Sequence, residues 1–265
     1  MKKIFAFLIA FLMVLSLASC TKKEIKIEGE YITKEYSLGA SLNLEIENIQ
    51  LKNSKNNSFP NVEMVPALEP KIMLKAQENI FDYISVTNKN NTISIKGSNN
   101  ELYLTDYITI MIYGYSFKKM DLACVNLEAI TYDSNSLDLE LSGASFTKTL
   151  NIICDDVSIE LSGAMNFDAA IAASELDLDI SGASKAKLTG ALEKINADIS
   201  GASSLNAKGL VIAEANLDVS GASNAEITFL LKLTADVSGA SSLIYYGDSN
   251  NVSSDVSGAS SCKKG

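Results

Sequence analysis

Seven copies of Ser-Gly-Ala recur along the second half of the chain, with glycines at 143, 163, 182, 201, 221, 239 and 258. Successive glycines stand 18 to 20 residues apart. A chain that returns to one tripeptide at so even an interval is built from stacked units, each too short to bury its own apolar face. Apolar residues sit two, four and six positions before the glycines, as in Leu141, Leu139 and Leu137 or Ile180, Leu178 and Leu176. The third residue before every glycine is an acid: Glu140, Glu160, Asp179, Asp198, Asp218, Asp236 and Asp255. Period two marks a strand with one buried face. Alternation resumes beyond the glycine, as in Phe167 and Ala169 or Leu205 and Ala207, so a second strand follows a bend. Glycine at the bend permits a backbone conformation or a close approach that a β-carbon would obstruct. A serine two residues past the glycine recurs in six of the seven copies, placed to bond to its neighbours or to the corner carbonyls.

These units predict an all-β fold, a single-stranded right-handed parallel β-helix of about 19 residues per coil spanning 119–265. Helical repeats need units of about 33 residues or more, and propeller blades about 40. "MDLACVN" at 120–126 aligns as one further, degenerate coil with Cys124 in the glycine's place. Residues 37–118 read as β-rich but not repetitive, an N-terminal portion that caps the stack. Within it "NTISIKG" and "DYITIMIYGY" read as strands and "NKNN" at 88–91 as a turn. "FPNVEMVPALEPK" holds all three prolines and reads as a loop.

The N-terminus has a separate task. Two lysines, an apolar run from Ile4 to Leu17 and then small residues make 1–19 a signal peptide. "LASC" at 17–20 resembles a bacterial lipobox, which implies cleavage before Cys20 and lipid attachment to its sulfur. Residues 20–36 then form a lipidated tether, and the membrane is a partner through the acyl chains. Thr21, rather than Asp, after the cysteine is consistent with an outer-membrane lipoprotein of the cell envelope. The choice between its periplasmic and surface faces stays open.

Composition narrows the chemistry. The chain has no His and no Arg, and all 22 of its basic residues are Lys. That removes the commonest general base and the bidentate anion fork. A net charge of −10 excludes the basic footprint of a nucleic-acid binder. Of the four cysteines, 20, 124, 154 and 262, none forms a CxxC pair, which argues against a disulfide framework or a zinc site. Cys124 and Cys154 are expected to be buried free thiols.

The order of a lipobox, "IMLKAQENIFDYISVTNKNNTISIKG" at 72–97, "DYITIMIYGYSFKKMDL" at 106–122 and then the SGAS coils resembles the DUF2807 family. These are the "putative auto-transporter adhesin, head GIN domain" proteins of Bacteroidetes. The resemblance spans roughly 37–265. It implies a β-helical fold, an envelope location and an adhesin-like role, and it brings no catalytic residues.

Function is therefore expected to be non-catalytic: an adhesin-like or scaffolding lipoprotein with an unknown protein or glycan ligand, self-associating end to end or side by side. The alternative is a carbohydrate-binding or lyase-like carbohydrate-processing envelope protein. The seven acids would line one outer face in register. They are candidate Ca²⁺ ligands, the only cofactor the sequence suggests, because hard cations favour carboxylate oxygens. Against this stands a plainly solvated face whose carboxylates are served by serine hydroxyls and corner N–H groups. No catalytic residue is expected.

Overall fold

A computed structural model describes residues 24–49, 51–53, 57–98, 101–104, 107–128, 130–248 and 250–265. The stretch 1–19 expected to be a signal peptide, and Cys20, lie outside the described residues. The chain is a parallel β-helix. On one face, strands Thr92–Gly97, Asn43–Glu47, Lys119–Ala123, Ser136–Ser142 and Asp156–Leu161 stack in parallel. The stack continues through the second halves of Asn166–Ile180, Lys185–Ile199, Ser204–Val219 and Asn224–Val237, and ends at Val252–Val256. A second face carries the strands that follow each corner, from Asn126–Leu127 and Phe146–Thr147 to Ser242–Tyr246 and Ser261–Lys264.

The period-two residues fill the interior. Leu141, Leu161, Ile180, Ile199, Val219 and Val237 are all essentially inaccessible, as are Ala169, Leu188, Leu205 and Ile227. Each coil thus covers the apolar stripe of the coil below, which no coil could do alone. The core runs from Ile27 to Leu243, so a chain beginning at Thr21 contains all of it.

The corners explain the tripeptide. Every SGA glycine has a left-handed φ, between 74° and 102°. A β-carbon on Gly182, Gly201, Gly221 or Gly239 would lie 2.4 to 2.5 Å from the carbonyl oxygen of the glycine one coil below. That carbonyl accepts the N–H of the alanine above it, as from Ala183 to Gly163 at 2.7 Å and from Ala202 to Gly182 at 2.8 Å. Ser184, Ser203 and Ser223 turn inward at the same corner and are buried. Their hydroxyls donate weakly, at 3.4 to 3.5 Å, to the same glycine carbonyls, as the serine spacing anticipates.

The degenerate coil exists. Met120 pairs with Leu139 and Leu122 with Leu141, and Cys124 holds the corner with φ of 56°. The first portion differs from its sequence reading in three ways. It is not merely a cap, because Thr92–Gly97 and Asn43–Glu47 add two coils of the same design, threaded out of chain order. Asn48 takes the left-handed corner there with φ of 58°, and a β-carbon on Gly97 would meet its carbonyl at 2.2 Å. Nor is 24–36 a tether. Glu24–Lys26 and Tyr31–Tyr36 are strands, paired with Glu101–Leu104 and Lys71–Gln77, and Ile27 is fully buried. The proline-bearing stretch likewise contains strand Asn61–Val65, which continues the second face beside Asn126–Leu127.

The cap proper is antiparallel. Ile84–Lys89 folds back on Thr92–Gly97 through Asn90 and Asn91, both at positive φ. That is the primed turn suited to a two-residue hairpin, within the predicted "NKNN". It covers the edge that a parallel stack would otherwise leave open. Tyr31–Tyr36, Lys71–Gln77 and Thr109–Tyr113 close the second face in the same antiparallel manner.

Candidate functional site

The acid positions align as the repeat predicts. Glu140 lies beside Glu160, Glu160 beside Asp179, and so on through Asp198, Asp218 and Asp236 to Asp255. The ladder is longer than the SGA pattern shows. Asp121 precedes Glu140, and Glu45 precedes Asp121. Both stand three residues before a left-handed corner held by Cys124 or Asn48, so the corner was the signal and the missing glycine hid it. Nine carboxylates therefore share one column at coil spacing, about 4.8 Å.

Two further outward columns flank it. Ser162, Ser181, Ser200, Ser220 and Ser238 run on the corner side. Asp177, Asn196, Asn216, Thr234 and Ser253 run on the other, with Asn196 donating to Asp177 at 2.8 Å and Asn216 donating to Asn196 at 3.1 Å. The acid column and the Asp177–Ser253 column together line a shallow groove of about 670 Å³ from Ser158 to Asp255.

Among the described residues, lysines compensate the ladder's charge at one end only. Lys96 bridges Glu45 at 3.0 Å and Glu47 at 2.7 Å. Lys119 bridges Asp138 at 3.0 Å and also Glu140. These hydrogen bonds, Glu47 first for Lys96 and Glu140 first for Lys119, raise both ammonium pKa values. Further along, partial burial and then the neighbouring carboxylates raise Asp198 and Asp218 above the ordinary Asp value. Burial, reinforced by Glu140 and Glu45, does the same to Asp121.

Asp198 and Asp218 bind protons more tightly folded than unfolded, so stability rises as pH falls from 7 through their raised folded-state values. Glu175 behaves oppositely. Its pKa is lowered, chiefly by the hydrogen bond from Lys194 at 2.5 Å, so its contribution is lost once pH falls below about 4. Thermal unfolding between pH 3 and 8 is expected to show its highest midpoint on the mildly acid side of neutrality. Asp218→Asn, which removes the carboxylate with an acid on both sides, is expected to raise the neutral-pH midpoint and flatten that acid-side rise. A midpoint highest at pH 8 would contradict the reading.

The ladder carboxylates run in parallel rather than converge. Among the described residues, no three acids or cysteines come together in a metal-holding cluster. Chemically the groove offers a row of carboxylates beside a row of mixed amide, hydroxyl and carboxylate groups at a fixed repeat, suited to an extended ligand rich in donors.

Aromatics are arranged mostly for packing. Phe167 is buried, and Tyr245 meets Phe229 edge-on at 5.9 Å. Tyr115 stacks on Phe117 at 5.1 Å and donates to the Gly39 carbonyl at 2.9 Å. Phe146 is different: it is 47% exposed in a second groove of about 350 Å³, with Asn166, Lys185, Lys187 and Asn206 around it. Cys154 is buried and Cys124 only half-buried, and burial raises the Cys154 thiol pKa.

Fold and groove define a class of protein: a capped parallel β-helix whose outer face bears regular polar rows. Within that class, the chain belongs to the family described as "Putative auto-transporter adhesin, head GIN domain" (DUF2807), which matches residues 55–249. The fold is similar to a crystal structure described as a putative adhesin from Parabacteroides merdae, with a TM-score of 0.76 and 15% identity over 91% of this chain and 99% of that one. A "putative lipid binding protein" from Parabacteroides distasonis is equally similar, with a TM-score of 0.76 at 14% identity over the same shares. A putative adhesin from Bacteroides fragilis gives 0.62 at 15%, again over 91% and 99%. No curated protein matches the chain.

Proposed function

We propose that the chain is a non-catalytic, lipid-anchored cell-envelope protein that displays its regular outer face to an extended partner, as an adhesin-like or scaffolding module. One observation carries this reading: ten successive parallel strands hold their outward rows in register from Thr92 to Val256 with no long loop interrupting the acid-bearing face. A catalytic cleft needs convergent groups of different chemistry, whereas these rows repeat one chemistry along the axis. Anchoring through Cys20 would hold the body close to the membrane, since the first strand begins at Glu24. Three intervening residues span at most about 11 Å.

A carbohydrate ligand is the second reading, favoured by the exposed Phe146 ring beside amide and lysine side chains. A buried lipid is less suited to the interior. The core void lined by Met64, Met120, Tyr132 and Leu139 measures about 10 Å³, room for one water at most.

Glycan-array binding by the chain from Thr21 separates the first two readings. Selective binding that Phe146→Ala abolishes supports the glycan reading; silence across the array supports scaffolding or a protein partner. Cys20→Ser is expected to move the protein from the membrane fraction to the soluble one, and retention in the membrane would overturn the anchor.

A further inference from the structure

One edge of the solenoid exposes large apolar side chains. Ile153, Val211 and Leu230 are 49%, 41% and 54% exposed. Register sets Ala172 beside Ile153, Ala191 beside Ala172, and Val211 beside Ala191. One coil later Thr228 takes the position beside Val211, and exposed Leu230 lies two residues further along the strand. Four coils thus carry an outward apolar row about 14 Å long at strand spacing, and exposed Leu230 lies just past its end. A contiguous exposed row of this kind marks an interaction surface, unlike single scattered apolar residues.

Just around the corner from it runs a second row, Glu175, Lys194, Glu214 and Lys232, also in register. Its signs alternate from coil to coil.

We infer that this edge docks a second copy of the chain, side by side and antiparallel. With the two solenoids aligned, identical edges can meet about a two-fold axis in two ways. An axis parallel to the solenoids swaps the rows, setting the apolar row of one copy against the charged row of the other. An axis perpendicular to the solenoids sets like row on like row and reverses coil order. With that axis between the levels of Lys194 and Glu214, Lys194 faces Glu214 of the second copy and Glu175 faces its Lys232. Every charge in those four coils meets its opposite, twice over by symmetry. The same axis brings Val211 over Ala191 of the second copy, large against small, and Thr228 over Ala172, with Leu230 two residues to one side. Lys194 would then sit between its own Glu175, at 2.5 Å, and Glu214 of the second copy.

The row and its charged flank are much smaller than the roughly 800 Å² per partner of a stable dimer, so the association is weak and concentration-dependent. Sedimentation equilibrium of the chain from Thr21 is expected to show a reversible monomer–dimer equilibrium. A chain still monomeric at about 1 mM overturns the proposal. Glu214→Lys and Lys194→Glu are each expected to weaken the dimer about tenfold or more, and the two together to restore it. Both positions are at the surface, so circular dichroism should match the parent chain, and melting should change only by the loss of the Lys194–Glu175 bond where Lys194 is replaced. A double variant as weak as either single one overturns the proposal. So does Leu230→Asp, if it leaves sedimentation unchanged but abolishes binding to phosphatidylcholine vesicles, because the row would then face lipid.

Discussion

Gly201→Ala is expected to destabilise the protein by about 2–4 kcal/mol, out of proportion to one methyl group. Two costs combine. With φ of 76°, the residue sits in the left-handed region, which disfavours a β-carbon by about 1–2 kcal/mol. The added carbon would also lie 2.5 Å from the Gly182 oxygen and 3.1 Å from its nitrogen, both backbone atoms. Relief requires the coils to part there. That strains the bond from Ala202 N–H to the Gly182 carbonyl, 2.8 Å long, and a buried group left unpaired costs about 1–3 kcal/mol. Gly39 provides the control. Its φ of 73° is nearly the same, but nothing lies within 4 Å of its added carbon. Gly39→Ala should therefore cost only the conformational part, about 1 kcal/mol. Urea unfolding of the two variants checks the difference. Equal losses would mean that the corner stack yields freely and that conformation alone selects glycine.

The same corner shows where sequence reading succeeds and where it stops. From Ser136 to Val237 the coil, its register, its buried face and its acid column follow from period two and a constant spacing; in the last coil Ser254 and Val256, expected inside, are exposed. Earlier, the left-handed corner is held by Asn48 and Cys124. Asn tolerates that region better than most residues, and Cys124 occupies it without the tripeptide, so the motif vanishes while the geometry persists. Glu45 and Asp121 belong to the ladder by pairing, yet the two lie 76 positions apart in the sequence, and no period links them. Strand order Thr92–Gly97, Asn43–Glu47, Lys119–Ala123 is a property of threading, which local alternation does not encode. Tyr31–Tyr36 was illegible because an edge strand exposed along most of its length carries little apolar signal. The apolar edge was hidden in another way. In "NIIC" both isoleucines look like core, but Ile152 is buried and Ile153 points out. Only stacking against Ala172, Ala191 and Val211 shows that outward Ile153 belongs to a row.

Removing Phe229 is expected to give a loss that is both large and local. Phe229 is among the largest fully buried side chains and meets Tyr245 of the next coil edge-on at 5.9 Å. Phe→Ala in a packed core costs about 3–5 kcal/mol, of which the aromatic pair supplies about 0.5–1.5. In a globular core that cost would be shared by the whole molecule. In a stack, each coil touches only its neighbours, and stability is close to a sum of coil and interface terms. Asn224–Val237 is the platform for Ser242–Tyr246 and Val252–Val256, and Val252–Val256 has no described strand beyond it. Phe229→Ala should therefore loosen residues 224–264 first. Amide hydrogen exchange is expected to lose protection there while Asp156–Leu161 and Lys185–Ile199 keep it, and the single melting transition should broaden or split. Protection lost evenly from Glu24 onward would show that the antiparallel cap and all the coils unfold as one unit. The nearest-neighbour picture of this stack would then fail, whatever the size of the loss.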